Sequence, residues 1–354
     1  MASTPSRRVC CGVRSARKLR CMMSPPTDSA DPVPGGYSAE IPPTMQAVVF
    51  RDYGDASVLR HSRTTTPEAG DGQVLIRVSH AGINPIDYRL RKGEMRYLLV
   101  GGFPRVPGFD VAGVIVSPSP GEFRRGDRVM AFLDSPYGGG YAEYAKCNVR
   151  SVAKIPDAMS FEEAASIPLA ATTAMQCLRS IGKLKSGSRV LINGASGGVG
   201  SFAVQIAAAY GAYVTGVASG SHEQFVRSLG AHDFVDYHTT PLSELTQTWN
   251  IIFDVAGQSS YIETRDLLAR DGIFVSTEPS PKGIAMSVLT LPLNKRGRAM
   301  LARPDAGVLR ELIRLYDEGK LRPVVDRVFP LASAAEAHQL LESGVDQGKV
   351  VLAV

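Results

Sequence analysis

Residues 190–200 constrain the fold of this chain more than any other segment. They read V-L-I-N-G-A-S-G-G-V-G, a short apolar run that leads into four glycines within seven positions. A strand that turns sharply into a helix around phosphate groups has this composition, because glycine permits the tight turn and the close approach of backbone to phosphate. The segment therefore predicts a dinucleotide-binding loop formed by Gly194, Ala195, Ser196, Gly197, Gly198, Val199 and Gly200.

The sequence around this loop predicts a parallel β-sheet. Residues 188–192 are β-rich, and Phe202, Ile206 and Tyr210 recur at helical spacing before a second apolar run at 212–218. Together they predict a strand–helix–strand unit whose helix N-terminus can bind an anion. Helices and strands continue to alternate as far as residue 277, which favours an α/β fold with a doubly wound parallel sheet.

The sequence before this unit is rich in short β-strands separated by glycine and proline turns. It predicts a compact, barrel-like β domain with strands at 45–50, 58–61, 73–80, 112–116, 127–132 and 140–145. The C-terminal sequence predicts a strand, a helix and a strand at 324–331, 332–343 and 349–354, which return to the first domain. We place the predicted boundaries at 1–44 (transit peptide and linker), 45–168 (catalytic), 169–303 (dinucleotide-binding) and 304–354 (C-terminal return).

The net charge of +5 is concentrated at the N-terminus. Residues 1–27 carry six arginines and lysines and no acid, which leaves 33 basic and 34 acidic residues in the remainder. The folded part therefore has no nucleic-acid-binding charge. The N-terminal segment has the composition of an organelle transit peptide, with the chloroplast favoured and the mitochondrion as the alternative. A disordered basic tail is the other interpretation. No apolar run reaches the roughly 18 residues of a membrane span.

Several ordered motifs resemble the medium-chain dehydrogenase/reductase superfamily, and within it the zinc-independent quinone oxidoreductase-like group. They lie at residues 81–93 (A-G-I-N-P-I-D-Y-R-L-R-K-G), 107–113 (P-G-F-D-V-A-G), 126–129, 139–144, 190–200, 228–231 and 348–352. The resemblance covers residues 45–354. It implies a Rossmann domain joined to a β-rich GroES-like catalytic domain, and a homodimer by analogy with relatives.

The same resemblance implies a reductase without a metal. Zinc-dependent relatives carry a Cys ligand where this chain has Asn84, and a His-Glu pair where it has Phe109 and Asp110. Phenylalanine cannot bind zinc, and asparagine is a poor substitute for a thiolate. Without a metal to polarise a simple carbonyl, the favoured acceptors are quinones and α,β-unsaturated carbonyls, which spread the arriving charge over conjugated atoms.

The turn after the second strand of the unit favours NADPH over NADH. An acid roughly 20 residues beyond the loop would bind the ribose 2′-hydroxyl of NAD, but residues 201–222 contain no acid. Ser219, Ser221 and His222 occupy the turn and could accommodate a 2′-phosphate, and Tyr237 matches a family tyrosine that flanks it. Family members often carry Lys or Arg in this turn, and this chain does not.

Four further residues are candidates for the reaction site by resemblance. Asn84 matches an asparagine on the nicotinamide side, with a turn asparagine before proline as the structural alternative. Tyr88 could protonate an enolate, or has a purely structural role, since quinone reductases often have their tyrosine one position later, where this chain has Arg89. Thr173 matches a threonine beside the nicotinamide carboxamide, or is a buried helix threonine. Lys349 reaches the cofactor side of the cleft, or is a solvated lysine at a strand start.

We therefore expect an NADPH-dependent, metal-free reductase that transfers hydride to a quinone or to the conjugated double bond of an enone. Two alternatives remain at this point. One is a nucleotide-binding scaffold protein with little turnover, and the other is an enoyl thioester reductase. The spacing of Asp87 and Arg91 also predicts an ion pair within one helix.

Overall fold

The computed structural model describes residues 40–96, 102–117, 121–277, 281–345 and 347–354. Most of the predicted transit peptide and linker therefore lies outside the described residues. The strands are β1 (Thr44–Val49), β2 (Arg60–Thr65), β3 (Gln73–Gly82), β4 (Asp110–Ile115), β5 (Arg128–Phe132), β6 (Tyr144–Asn148), β7 (Val152–Lys154), β8 (Arg189–Asn193), β9 (Tyr213–Ala218), β10 (Asp233–Asp236), β11 (Trp249–Asp254), β12 (Leu268–Ser276), β13 (Arg296–Ala299), β14 (Val325–Pro330) and β15 (Lys349–Ala353). The helices are α1 (Pro85–Lys92), α2 (Phe161–Ser166), α3 (Pro168–Met175), α4 (Gly198–Ala209), α5 (Glu223–Ser228), α6 (Tyr261–Thr264), α7 (Pro281–Leu289), α8 (Ala306–Asp317) and α9 (Ala334–Ser343).

The second half of the chain forms a six-stranded parallel sheet in the order β10-β9-β8-β11-β12-β13. Side chains alternate along the central strand β8: Val190 and Ile192 enter one hydrophobic cluster, and Leu191 enters another on the opposite face. Both faces of the sheet are therefore covered, as a doubly wound sheet requires. The predicted α/β fold is confirmed.

Strands from the first half of the chain and from its C-terminus form a mainly antiparallel sheet in the order β14-β15-β3-β4-β5-β7, with β6 also paired to β3. The C-terminal strands β14 and β15 pair in parallel with each other, and β15 runs antiparallel to β3. The end of the chain thus completes the sheet that its beginning starts. The strands β1 and β2 form a separate two-stranded sheet, so the described strands do not make one closed barrel.

Two predicted strands begin later in the structure than the sequence suggested. The strand predicted at 140–145 is β6, which begins at Tyr144, because Gly138 and Gly139 adopt positive φ and Gly140 packs tightly on Gly108. The strand predicted at 58–61 is β2, and a short 3-10 turn precedes it.

Small residues join the two sheets through one continuous core. Ala170, Ala171 and Ala174 of α3 belong to the same buried cluster as Ala203 and Ala207 of α4. Alanine side chains leave room for helices to approach closely. The cluster also holds buried leucines of α8, so this helix packs with the core of the parallel sheet. Among the described residues we find no helix long and apolar enough to cross a membrane.

Candidate functional site

The glycine loop leads from the end of β8 into the start of α4. Gly194 has φ +90°, a left-handed conformation that favours glycine, and its N–H donates to Val217 O. A Cβ at Gly200 would lie 2.0 Å from Gly194 O, so α4 starts directly against the strand end. Within the described part of the chain, no side chain caps the helix N-terminus at Gly197. The N–H groups of its first turn are therefore available to an anion.

Space outside the loop remains open at Gly197. Its backbone has φ −76°, which any residue can adopt, and the nearest atom to an added Cβ is Gly194 O at 3.6 Å. A side chain here would project into the space beside the uncapped helix N-terminus. This opening and the unpartnered donors fit a pyrophosphate, so the residues present fit a dinucleotide.

The C-terminal residues Gly348 and Lys349 lie directly against the glycine loop. Gly348 N donates to Ser196 O at 3.1 Å, and Gly348 forms a parallel bridge with Gly197. A Cβ at Gly198 would lie 2.8 Å from Lys349 Cδ. The Lys349 side chain therefore requires a glycine at the first position of α4. The C-terminal strand β15 begins directly against the glycine loop at this point.

The ammonium of Lys349 lies among oxygen atoms from the loop between β3 and α1. Its Nζ donates to Ile83 O at 2.8 Å and to Asn84 Oδ1, and it lies 3.8 Å from Asp110 Oδ2. Asn84 Nδ2 in turn donates to Asp110 Oδ2 at 2.9 Å, and Leu169 N donates to Asp110 Oδ1 at 2.8 Å. Lys349, Asn84 and Asp110 are all buried. Of the two alternatives for Lys349, the solvated lysine at a strand start is therefore wrong, because its stem crosses Gly198 into the interior.

Burial shifts the pKa values of both members of this pair. Desolvation raises the pKa of Asp110 to about 6, although Lys349 and the donors from Asn84 and Leu169 oppose the shift. Desolvation also lowers the pKa of Lys349, and Asp110 opposes this change. The pair is therefore a buried cation and anion whose charges depend on each other.

Asp87 connects α1 to a second buried group. Its carboxylate accepts hydrogen bonds from Asn84 N at 2.8 Å, Gly108 N at 3.2 Å and the hydroxyl of Tyr141 at 3.1 Å. The Tyr141 hydroxyl also lies 3.1 Å from His338 Nε2. Burial raises the pKa of Asp87 to about 7. One carboxylate thus ties together the residues 84, 108 and 141, which belong to three of the sequence motifs.

The predicted ion pair between Asp87 and Arg91 does not form. Arg91 instead bonds to Glu342 of α9, and Asp87 is occupied by the three donors above. The helical spacing is correct, but Asp87 lies at the third position of α1 and closes a capping box with the Asn84 backbone. Its carboxylate therefore faces the helix start, away from Arg91.

The two other predicted reaction-site residues, Thr173 and Tyr88, lie on helices α3 and α1. Thr173 is buried in α3, where its hydroxyl donates to Leu169 O at 2.7 Å and keeps its lone pairs for a further donor. Tyr88 is half-buried on α1, and Lys92 Nζ lies 5.2 Å from the centre of its ring. We find no hydrogen bond from the Tyr88 hydroxyl within the described part of the chain.

The residues predicted to bind a 2′-phosphate lie at the carboxyl end of β9. Ser219 Oγ lies 3.2 Å from Ser221 Oγ, and His222 N donates to Ser219 O at 2.8 Å, so the turn is compact. Tyr237 follows the neighbouring strand β10 and is 52% exposed. Because β9 and β10 are parallel, their carboxyl ends bring these residues to one edge of the sheet.

The sequence analysis missed two buried acids. One is Asp110, beside Asn84, and the other is Asp254, at the carboxyl end of β11. The sequence marks Asp110 only as a replaced ligand position, although it accepts hydrogen bonds from Asn84 and Leu169. Asp254 is buried at the end of β11 and accepts from Asn193 Nδ2 at 2.8 Å. The available signal for Asp254 was a polar residue at the end of a mainly apolar strand, W-N-I-I-F-D, whereas Asp110 begins the apolar strand β4.

The oxygen atoms around Lys349 Nζ suit an ammonium better than a metal ion. Its acceptors are one main-chain carbonyl, one amide oxygen and one carboxylate, and Lys349 already supplies the positive charge. Across the described ranges, no group of three or more His, Cys, Asp or Glu side chains could hold a metal ion. Zinc prefers thiolate and imidazole ligands, so these residues do not fit a zinc site.

Comparisons with known proteins match most of this chain. Family models described as "Alcohol dehydrogenase GroES-like domain" and "Zinc-binding dehydrogenase" match residues 70–157 and 229–352. The chain is 30% identical over 322 residues to the chloroplast envelope quinone oxidoreductase homolog of Arabidopsis thaliana, covering 87% of this chain and 98% of that protein. It is 32% identical over 327 residues to a chloroplastic NADPH-dependent alkenal/one oxidoreductase of Arabidopsis thaliana, covering 89% and 81%. The structure of a quinone oxidoreductase from Coxiella burnetii aligns with a TM-score of 0.81 at 32% identity, covering 88% and 99%.

Proposed function

Since the chain belongs to the medium-chain dehydrogenase/reductase superfamily, we propose that it is a metal-free, NADPH-dependent reductase. Its acceptor is a quinone or the conjugated double bond of an α,β-unsaturated carbonyl. The observation that carries this proposal is the Lys349 side chain, which runs from the first turn of α4 to the amide of Asn84. It connects the expected phosphate end of the site to the expected nicotinamide end.

The bound coenzyme would supply a hydride, and the protein would supply position and electrostatics. The first-turn N–H groups of α4 would hold the pyrophosphate, and Thr173 would accept from the carboxamide. Asn84 would donate to the acceptor oxygen. Tyr88 or a water molecule would then protonate the resulting enolate carbon, or a quinone oxygen. The positions of these residues and the family resemblance support these roles.

Independence from zinc is supported by the donor chemistry around Asn84. A buried ammonium bonded to Asn84 Oδ1 and close to Asp110 leaves little reason for a second cation at the same acceptors. A conjugated acceptor needs less polarisation than a simple ketone. The names of two relatives, a quinone oxidoreductase homolog and an alkenal/one oxidoreductase, favour the same acceptor class.

The preference for NADPH is supported by the composition of the turn after β9. Ser219, Ser221 and His222 provide hydroxyl and imidazole groups, and no acid lies in the turn itself. Asp236 approaches from β10, because a Cβ at Gly220 would lie 2.5 Å from its Oδ2. Its Oδ1 accepts from His238 N at 3.0 Å, so one oxygen of this carboxylate is already hydrogen-bonded. The Arabidopsis alkenal/one relative is named as NADPH-dependent.

We also propose a homodimer that forms at the edge strand β13. This strand pairs only with β12 in the described sheet, and its outward-facing N–H groups donate to the hydroxyls of Ser287 and Thr290. Large apolar side chains beside it are more than half exposed, namely Ile284, Val288, Leu289, Leu291, Leu293 and Leu301. A large exposed apolar surface favours association, and a second copy related by a two-fold axis can cover it with the same surface.

The location we propose is an organelle, with the chloroplast favoured. Support comes from the basic, acid-free residues 1–27 and from the chloroplast named for both Arabidopsis relatives. The mitochondrion stays the alternative. The domain boundaries at 45–168, 169–303 and 304–354 are likewise proposals, and the pairing of β15 with β3 supports a C-terminal return.

The test is NADPH oxidation with a panel of small enones and quinones, followed by NMR of the product formed from deuterated NADPH. We expect deuterium at the β-carbon of the enone. Tight NADPH binding without turnover would instead support the scaffold alternative. Turnover confined to acyl thioesters would support the enoyl thioester reductase.

A further inference from the structure

The side-chain amide of Asn84 can adopt only one orientation in this structure. A lysine ammonium is a donor without lone pairs, so the atom that faces Lys349 must be the amide oxygen. The atom that faces Asp110 Oδ2 must then be the amide nitrogen, because a carboxylate accepts. Exchange of the oxygen and nitrogen would place two donors and two acceptors against each other. The chemistry of the neighbours therefore fixes an assignment that geometry alone leaves open.

One hydrogen of this amide remains without a partner. The NH₂ group of Asn84 has two hydrogens, and Asp110 accepts one of them. Within the described ranges we find no acceptor for the second, although Asn84 is only 1% exposed. A buried donor without an acceptor is destabilising, because it has lost its hydrogen bond to water and has gained none in the protein. A bound ligand that carries an acceptor oxygen would remove that cost.

The three residues also form a chain of charge-assisted hydrogen bonds. Lys349 withdraws electron density from the amide oxygen, which makes the amide N–H groups stronger donors. Asp110 is itself fixed by Leu169 N at the start of α3. Replacement of a buried ion pair by apolar residues often costs nothing, so stability alone does not account for a lysine at this place.

We propose that Lys349 and Asp110 are positioning residues that hold the Asn84 amide with its free N–H directed at the acceptor oxygen of the substrate. This inference rests on the proposed reductase function and adds to it an explanation of what orients the Asn84 N–H. As the acceptor gains negative charge during hydride transfer, the polarised N–H stabilises it more than it stabilises the ground state. Lys349 acts through Asn84 and needs no contact with the substrate.

The sharpest test exchanges the acid and the amide in the double variant Asn84→Asp/Asp110→Asn. This exchange conserves net charge, keeps an acceptor for Lys349 and for Leu169 N, and keeps a hydrogen bond between positions 84 and 110. It replaces the free N–H at position 84 by a carboxylate oxygen, which cannot donate. We expect NADPH affinity and thermal stability to be unchanged and kcat for an enone to fall about 100-fold. An exchange variant with wild-type kcat would overturn the proposal.

A second measurement decides the proposal without turnover. In wild-type protein we expect one set of sharp ¹H–¹⁵N side-chain NMR signals for Asn84, because its amide has one orientation. Lys349→Met should broaden or double these signals, whereas Lys146→Met, an exposed lysine on β6 that donates to Glu68 O, should not. Unchanged Asn84 signals in Lys349→Met would contradict the inference. If the wild type binds NADPH but reduces no acceptor, the proposed function fails, and the NMR result still judges the orientation.

Discussion

Lys349 donates a hydrogen bond to the side-chain oxygen of Asn84, although the two residues lie 265 positions apart in the chain. The contact exists because β15 returns from the C-terminus to pair with the end of β3, where Val351 lies opposite Gly82. It brings an ammonium group into the part of the site where, by the sequence resemblance, zinc-dependent relatives carry ligands. The reaction we propose depends on this arrangement.

A side chain at Gly197 should block the coenzyme without unfolding the protein. The backbone there is unstrained and its surroundings are open, so Gly197→Val projects into the expected phosphate space. We expect NADPH affinity, measured by fluorescence titration, to fall about tenfold or more. Gly70→Val is the matched control, because its added Cβ would also have one neighbour, at 3.6 Å. Equal loss in both variants would contradict a phosphate site at Gly197.

A permanent positive charge in the turn after β9 should increase selectivity for NADPH. We expect His222→Lys to tighten NADPH about tenfold and to leave NADH unchanged, because only NADPH carries a 2′-phosphate for a charge-assisted bond. The control is His232→Lys, since His232 bonds to Val214 N at the opposite end of β9. Equal changes for both coenzymes would show that the turn does not contact the phosphate.

Buried His338 should make the protein less stable at acidic pH. Desolvation and Arg91 lower its pKa from 6.5 to about 3, so the unfolded chain binds a proton that the folded protein rejects. Stability from this group is complete above pH 6.5 and is lost as the pH falls toward 3. Between pH 7.5 and pH 5 the wild type should lose about 2 kcal/mol relative to His338→Phe.

Urea unfolding of both proteins at each pH measures this difference. Phenylalanine can keep the edge-to-face contact with Tyr141, whose ring centre lies 5.7 Å from that of His338. Asp87 and Asp110 have raised pKa values and act in the opposite direction, but both proteins contain them. A constant difference across this pH range would show that His338 titrates normally in the folded protein.

The proposed dimer should dissociate when a charge enters the apolar surface beside β13. Leu289 is 67% exposed, so Leu289→Lys should leave the fold intact and yield a monomer by light scattering. Val328→Lys on β14, in the other sheet, should have no effect on mass. A wild type that is itself monomeric at micromolar concentration would rule out the dimer.

The sequence predicted the parallel sheet well because its strands are continuous apolar runs and because four closely spaced glycines at a strand end favour a turn around phosphate. It could not predict the partner of Arg91, since helical spacing shows that Asp87 is near but not which way its carboxylate points. Lys349 was equally ambiguous, because a lysine that starts a strand is usually solvated. Only the tertiary pairing of β15 with β3 reveals that its side chain enters the core. The edge strand β13 was missed because R-G-R-A contains no apolar alternation.

The most direct test of metal independence is turnover by protein from which metal has been removed. The protein would be dialysed against a strong chelator, its zinc content measured by mass spectrometry, and NADPH oxidation followed with the best enone or quinone acceptor. We predict full activity at a zinc content far below one ion per chain, with no increase on addition of Zn²⁺. Activity that disappears with the metal and returns on stoichiometric Zn²⁺ would contradict the claim that the Lys349 ammonium is the cation of this site.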